Sequence, residues 1–296
     1  MKLHHYPIIL LVLATAAARA AESTPPITPA IIDAAEHGEA DAQYQLARAY
    51  LRGEGLPRDL NKAYELMKSA AAKGQAEALG GLGYFYSAGE VVKKDDKVAA
   101  DWFRQGAEKG SAKAQFNLGK WLLVGKGGAT GAPPEKLREE GLQWLQKAAD
   151  QGLPEAGLAY GSILYFGDHG VTQDYAKAAP YFKRAAEQGL RNAQNFYGIL
   201  CDNGFGIPVD KAAAEQWYRK AALQGHVKAQ SNLGCLLYPH DDNKAARLEA
   251  LAWLILATNQ GEVTAEKMLL DVTPGLEEGE MNKATKRATE LRQLVR

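Results

Sequence analysis

The stretch Asp210–Gly225, DKAAAEQWYRKAALQG, reads as one amphipathic helix that begins at an aspartate and stops at a glycine. The AQSNLG of residues 229–234 then opens a second helix. Aspartate suits a helix start because its carboxylate accepts from the free N–H groups of the first turn. Glycine suits the stop because it takes the left-handed conformation without a Cβ clash. This pairing of signals recurs from about residue 30 to about residue 265, so the chain reads as a repeat before anything else.

The closing glycines are Gly38, Gly74, Gly110, Gly152, Gly189, Gly225 and Gly261, separated by 36, 36, 42, 37, 36 and 36 residues. Eight residues before each from Gly74 onward stands a large side chain: Leu66, Trp102, Trp144, Tyr181, Trp217 or Trp253. That register is expected in the core. After each glycine through Gly225 an alanine opens a further helix, at Ala42, Ala78, Ala114, Ala156, Ala193 and Ala229. Apolar side chains four and eight residues on complete a stripe, as in Ala114, Leu118 and Leu122. Five residues past the opening alanine stand Ala47, then Gly83, Gly119, Gly161, Gly198 and Gly234. A glycine inside a helix costs about 1 kcal/mol against alanine. Five of them at one register imply that another backbone passes there. Glycine-containing loops end in Asp59, Asp95, Asp174 and Asp210, each placed to cap the next helix.

Each unit is therefore a helix hairpin of about 36 residues, and only stacking against its neighbours buries its apolar faces. The units fall at about 42–77, 78–113, 114–155, 156–192, 193–228 and 229–264, inside a solenoid over 29–272. Ala30–Gly38 is a half-unit sealing one end, and 273–296 supplies a polar capping helix from Glu277 to about Leu294. The third unit carries a Gly/Pro-rich insertion, GKGGATGAPPEKLREE at 125–140, a long loop at one rim that reads as a flexible excursion or, alternatively, a contact loop. In the sixth, YPHDDNK at 238–244 replaces the glycine loop.

The repeated pattern A-x-x-x-L-G-x-x-Y-x-x-G-x-G-[VLI]-x-x-D-x-x-K-A-x-x-W-[YF]-x-K-A-A-x-x-G resembles the Sel1-like repeat, a relative of the tetratricopeptide repeat. The resemblance implies an all-α fold, a right-handed superhelical α/α solenoid whose first helices line the concave side. It also implies a protein-binding scaffold rather than a catalyst.

The chain has 296 residues, 35 basic and 35 acidic, and 46% hydrophobic content. That balance gives no sign of a nucleic-acid or anionic-membrane partner, which would want a basic excess. Residues 1–20 differ in kind: a polar start with Lys2, an apolar run Pro7–Ala17, then Ala18-Arg19-Ala20. They read as a signal peptide cleaved near Ala20-Ala21, followed by a leader at 21–28 and implying a periplasmic protein. The apolar run is well short of the roughly 20 residues of a membrane span. Losing Lys2 and Arg19 takes the basic count from 35 to 33 and leaves the mature chain slightly acidic.

Signatures of chemistry are sparse, and the expectation is no catalytic residue, no cofactor and no metal. GKGGATG at 125–131 lacks a preceding strand and a Gly-Lys-Ser/Thr ending, so it is not a phosphate loop. His37, His169, His226 and His240 fall near helix ends or in loops with no metal-binding spacing, and His240-Asp241-Asp242 reads as a solvated loop. Some cysteine-rich relatives resemble penicillin-binding or β-lactamase-like hydrolases, yet no serine here is followed three residues later by lysine and Lys-Thr-Gly is absent. That hydrolase is an outside alternative. Cys201 and Cys235 sit in first helices of adjacent units at different registers, which favours free thiols over a bridge.

What remains is the face of the first helices left over from the core stripe, at registers two, three, six, nine and ten past the opening alanine. It holds Tyr44, Arg48, Arg52, Tyr84, Phe116, Lys120, Tyr165, Phe166, Asn195, Phe196 and Asn203. Aromatic and arginine residues are those most enriched in interface hot spots. The expected function is a monomeric periplasmic scaffold that engages another protein through a concave groove. Two roles stay open: an immunity protein neutralising a secreted antibacterial effector, such as a type VI phospholipase, or an adaptor in envelope signalling or polysaccharide assembly.

Overall fold

A computed structural model of the chain describes residues 27–126, 132–238 and 243–295. The expected signal peptide and most of the leader lie outside the described residues, as do 127–131 of the insertion and His240-Asp241-Asp242. Among the described residues are fifteen α-helices, one short 3-10 helix and no strand. They form two compact units, Ser23–Ala185 and Ala186–Arg296.

In the first unit, α1 (Pro29–Glu36) packs on α2 (Ala40–Arg52), which turns back as α3 (Leu60–Ala72). Then follow α4 (Ala76–Ala88) with α5 (Asp96–Glu108), and α6 (Ala112–Leu123) with α7 (Pro134–Asp150). Next come α8 (Pro154–Phe166) and α9 (Tyr175–Glu187), the latter ending just past the division. The second unit pairs α10 (Arg191–Asn203) with α11 (Lys211–Leu223), and α12 (Val227–Leu237) with α13 (Lys244–Thr258). It finishes with α14 (Val263–Val272), a 3-10 turn at Thr273–Gly275 and α15 (Glu280–Leu294).

The sequence signals act where they stand. All seven closing glycines have left-handed φ, from +73° at Gly225 to +93° at Gly110. Beyond six of them the chain makes the same long-reach bond, for example His226 N to Ala221 O at 3.0 Å and Ser111 N to Gly106 O at 3.0 Å. The four loop aspartates cap: Asp59, Asp174 and Asp210 each accept from the N–H three residues on, and Asp95 from two. Each of these caps contributes about 1 kcal/mol. The same aspartates close their loops through their own N–H, as in Asp210 N to Cys201 O at 2.8 Å and Asp95 N to Tyr86 O at 3.0 Å.

The large-residue register is shifted by one from expectation. Trp102, Trp144, Tyr181 and Trp217 are only half-buried. The next residue in each helix is the core one: Met67, Phe103, Leu145, Phe182, Tyr218 and Leu254. Trp253 is fully buried because α13 is covered by α15 as well as by α12 and α14. Trp144 and Trp217 instead carry Lys147 and Lys220 over their rings, both at 4.1 Å. The intrahelical glycines are explained by the shifted register. A Cβ on Gly198 would stand 2.7 Å from Tyr218 Cδ1, and one on Gly83 would stand 2.5 Å from Phe103 Cδ1. At Gly119 the neighbour is backbone, with Gly141 O at 2.8 Å, but at Gly161 and Gly198 a ring fills the space.

Buried glutamines tie the hairpins together. Gln43, Gln115, Gln194 and Gln230 stand one residue past the opening alanine, and each donates to the carbonyl eight residues back, in the preceding helix, at 3.1 to 3.2 Å. Three of them also accept from a glutamine preceding a closing glycine: Gln115 from Gln151, Gln194 from Gln224, and Gln230 from Gln260.

The C-terminal segment departs from expectation in detail. Ala265 stands four residues past Gly261 and is fully buried, so α14 extends the first-helix series by one. The last helix starts at Glu280, after left-handed Gly279, and buries Ala284, Ala288 and Leu291 in the core of the second unit.

Candidate protein-binding face

The face is built by the first helices, whose register is set by their buried stripe of Ala114, Leu118 and Leu122 in α6 and its counterparts. With that stripe turned inward, registers two and six fall on its flank, one helical turn apart. In α2 they carry Tyr44 and Arg48, both half-buried, with the guanidinium 5.7 Å from the ring centre. In α6 they carry Phe116 and Lys120, with the ammonium 4.9 Å from the ring. Both aromatic residues also pack on inter-repeat core: Tyr44 on the cluster that holds Ala47, Ala78 and Leu82, Phe116 on the cluster that holds Leu145 and Ala156. They serve as floor more than as projecting anchors.

In α4, register two is Gly80, which lies against Ala114 of α6; a Cβ there would be 3.0 Å from that of Ala114. Register six is Tyr84, 46% exposed and edge-on to buried Phe85. Arg52 is exposed and sits 3.7 Å from Glu54. Burial pulls the Lys120 ammonium below the ordinary lysine pKa. At the end of α8, Tyr165 stacks edge-on to Phe166, Tyr175 and Phe182. Burial, and then Tyr175, push its pKa up. Phe166 is 47% exposed.

In the second unit the picture changes. Asn195 is buried, its Oδ1 accepting from Asn232 Nδ2 at 3.0 Å, so it belongs to the packing of α10 on α12 and leaves the candidate face. Phe196 is half-buried, and exposed Asn203 bonds back to Ile199 O at 3.0 Å. Within the first unit Tyr44 with Arg48, Tyr84, and Phe116 with Lys120 thus stand at matching registers of successive first helices, while Tyr165 and Phe166 form a separate aromatic group.

Other polar groups are architectural. His226 caps α12, its Nδ1 accepting from Ala229 N at 3.1 Å, and burial with nearby Arg191 lowers its pKa to about 4. Cys201 and Cys235 are not joined in a disulfide, and burial pushes the Cys235 pKa up. Glu140 and Glu249 are held below the usual carboxylate range: burial would raise them, but Arg104 with Trp144, and Arg219 with Trp253, outweigh it.

A family model for the Sel1 repeat matches residues 40–75, 76–111, 112–153, 154–190, 191–226 and 227–262. The chain belongs to the Sel1 repeat family. Its Sel1 repeats begin two residues before each opening alanine, at the first turn of the first helix. Among solved structures, a Sel1 repeat protein from Oxalobacter formigenes is 28% identical with a TM-score of 0.62, over 79% of this chain and 91% of that one. A putative Sel1 repeat protein from Klebsiella pneumoniae is 25% identical with a TM-score of 0.47, over 70% of this chain and 98% of that one. An immunity protein from Pseudomonas aeruginosa is 23% identical with a TM-score of 0.47, over 65% and 71%. At TM-scores below 0.5 the latter two carry nothing about role. No curated protein matches by sequence. Sel1 repeats form a scaffold suited to holding another protein. No helix among the described residues is long and apolar enough to cross a membrane.

Proposed function

We propose that this chain is a non-catalytic periplasmic scaffold that captures one partner protein on its first-helix face. The observation that carries the reading is the register row on α2, α4 and α6, where exposed Tyr84 falls between two cation-capped rings in repeat order, Tyr44 with Arg48 and Phe116 with Lys120. Tyrosine and arginine in such a setting are the residues that dominate interface energetics. The role carried forward is neutralisation of a secreted antibacterial effector, which the family resemblance implies; the export signal read at residues 1–20 would place the protein where such an effector arrives.

The test is capture of partners from periplasmic extract by the wild-type chain, identification by mass spectrometry, and titration calorimetry with the purified partner. A triple variant, Arg48→Glu with Phe116→Ala and Phe196→Ala, should lose the partner while keeping its helical circular dichroism. Retained binding would remove the face from consideration. A toxic effector as the captured protein supports the immunity role, and an envelope sensor or polysaccharide enzyme supports the adaptor role. N-terminal sequencing of the periplasmic form should begin near Ala21.

A further inference from the structure

The candidate face has a sign. The chain as a whole balances 35 basic against 35 acidic residues. At registers two, three, six, nine and ten of α2, α4 and α6, however, stand Arg48, Arg52 and Lys120 and no aspartate or glutamate. Acids on these helices keep to the first turn, as Asp41 and Glu77. Arg52 is engaged by Glu54. Lys120 is different: among the described residues no carboxylate lies within ion-pair distance of it, and its ammonium rests over Phe116. Three other half-buried cations are answered by carboxylates from within, Arg104 by Glu140, Arg219 by Glu215 and Glu249, and Arg247 by Glu280. A partly desolvated ammonium without a counter-charge is unfavourable alone and gains most when a carboxylate arrives.

Apolar surface lies alongside. Tyr84 and Val124 are each 46% exposed. Val124 directly follows α6, one helical turn beyond Lys120, and Tyr84 stands on α4, whose Gly80 packs against Ala114 of α6. A site with one unanswered cation, an aromatic floor and two exposed apolar side chains is complementary to a carboxylate flanked by apolar residues.

We propose that this face takes an acidic segment of the partner protein, in which a carboxylate pairs with Lys120 and neighbouring apolar side chains cover Tyr84 and Val124. The proposal rests on the protein-binding reading and narrows it to one chemistry. The carboxylate reaches Lys120 from the side away from Phe116, so the ring keeps the ammonium oriented while the salt bridge forms.

The probe is a short fluorescein-labelled peptide of alternating leucine and glutamate, titrated with the full mature chain and read by anisotropy. Matched peptides carry lysine or serine in place of glutamate, and a short oligothymidylate serves as a non-protein polyanion. The acidic peptide should bind, the lysine and serine peptides should bind at least about tenfold more weakly, and affinity should fall as salt rises from about 50 to about 500 mM. Lys120→Met keeps the aliphatic stem over Phe116 and should lose about tenfold in affinity. Lys97→Met, an exposed change of equal charge on α5, should leave affinity unchanged. The proposal is overturned if the acidic peptide does not bind, if Lys120→Met binds it like wild type, if Lys97→Met weakens it equally, or if oligothymidylate binds as tightly. Loss of the native partner in the triple surface variant, with Lys120→Met indifferent to the acidic peptide, would sink this proposal and leave the binding face intact.

Discussion

Gln224 Nε2 donates to Gln194 Oε1 at 2.8 Å, and Gln194 Nε2 donates in turn to Ala186 O at 3.2 Å. Gln194 is only 4% exposed, so one buried amide links the end of α9, the start of α10 and the end of α11. Replacing Gln224 by leucine leaves Gln194 Oε1 buried without its donor. A buried polar atom deprived of its partner costs about 1–3 kcal/mol. Urea unfolding of Gln224→Leu should show that loss, and Gln194→Leu with Gln224→Leu should cost less than the two single changes added together.

The first repeat lacks this arrangement. Gln43 donates to Ala35 O at 3.2 Å, but Lys73 occupies the position of the donating glutamine, and Gln43 Oε1 is buried with no partner. Lys73 points its ammonium at Gly38 O instead. Lys73→Gln should supply the missing donor and raise stability by about 0.5–1 kcal/mol, read as a higher urea midpoint with an unchanged slope.

His226 introduces a pH dependence. Its ring must be neutral for Nδ1 to accept from Ala229 N, and its folded pKa, about 4, lies below the ordinary value of 6.5. A depressed histidine pKa means the unfolded chain binds more protons between those values. Its contribution is therefore complete above pH 6.5 and is lost as pH falls toward 4. His226→Asn keeps a capping acceptor that does not titrate. The difference in thermal stability between wild type and variant should shift in favour of the variant across that window, and a constant difference would show that His226 is not the group responsible.

Gly198 tests the shifted core register. An alanine there would place its methyl 2.7 Å from the Tyr218 ring, so helix propensity predicts a gain and packing predicts a loss. Tyr218 is 1% exposed and cannot swing into solvent, so packing should win by about 1–3 kcal/mol. Tyr218→Met in the same chain should relieve part of the loss, since buried Met67 stands at that register in the one repeat that carries alanine, Ala47, in place of the glycine.

The repeat was legible because its punctuation is local chemistry: a glycine stop and an aspartate start each act within one turn, and Gly225 and Asp210 do what their neighbours in sequence imply. The choice between Trp217 and Tyr218 for the core was not legible. Adjacent helical positions differ by about 100°, and two large aromatic residues side by side leave the direction of the stripe undecided. The glycine opposite supplies the missing information, since Gly198 needs a ring to fill its place. The buried glutamines were missed because a polar residue one position from an alanine stripe reads as surface; their recurrence at one register, Gln43, Gln115, Gln194 and Gln230, was the available signal. Asn195 reads as surface for the same reason, although Asn232 meets it from the next repeat. Register gave the candidate face its residues, but which of them double as floor between repeats follows only from how closely α4 and α6 approach at Gly80.

The glutamine network also sets how such a chain can grow. The segment 191–226 carries one of its bonds internally, Gln224 to Gln194, and makes the other to a main-chain carbonyl just before its own start, at Ala186. A carbonyl is present whatever residue bears it. A duplicated or transplanted segment cut at these limits brings its own donor and acceptor and asks of its new neighbour only a helix ending at the right height. Lengthening by whole segments therefore demands no matched change in these glutamine bonds, and the exposed residues of each copy are left free to diverge toward whatever they hold.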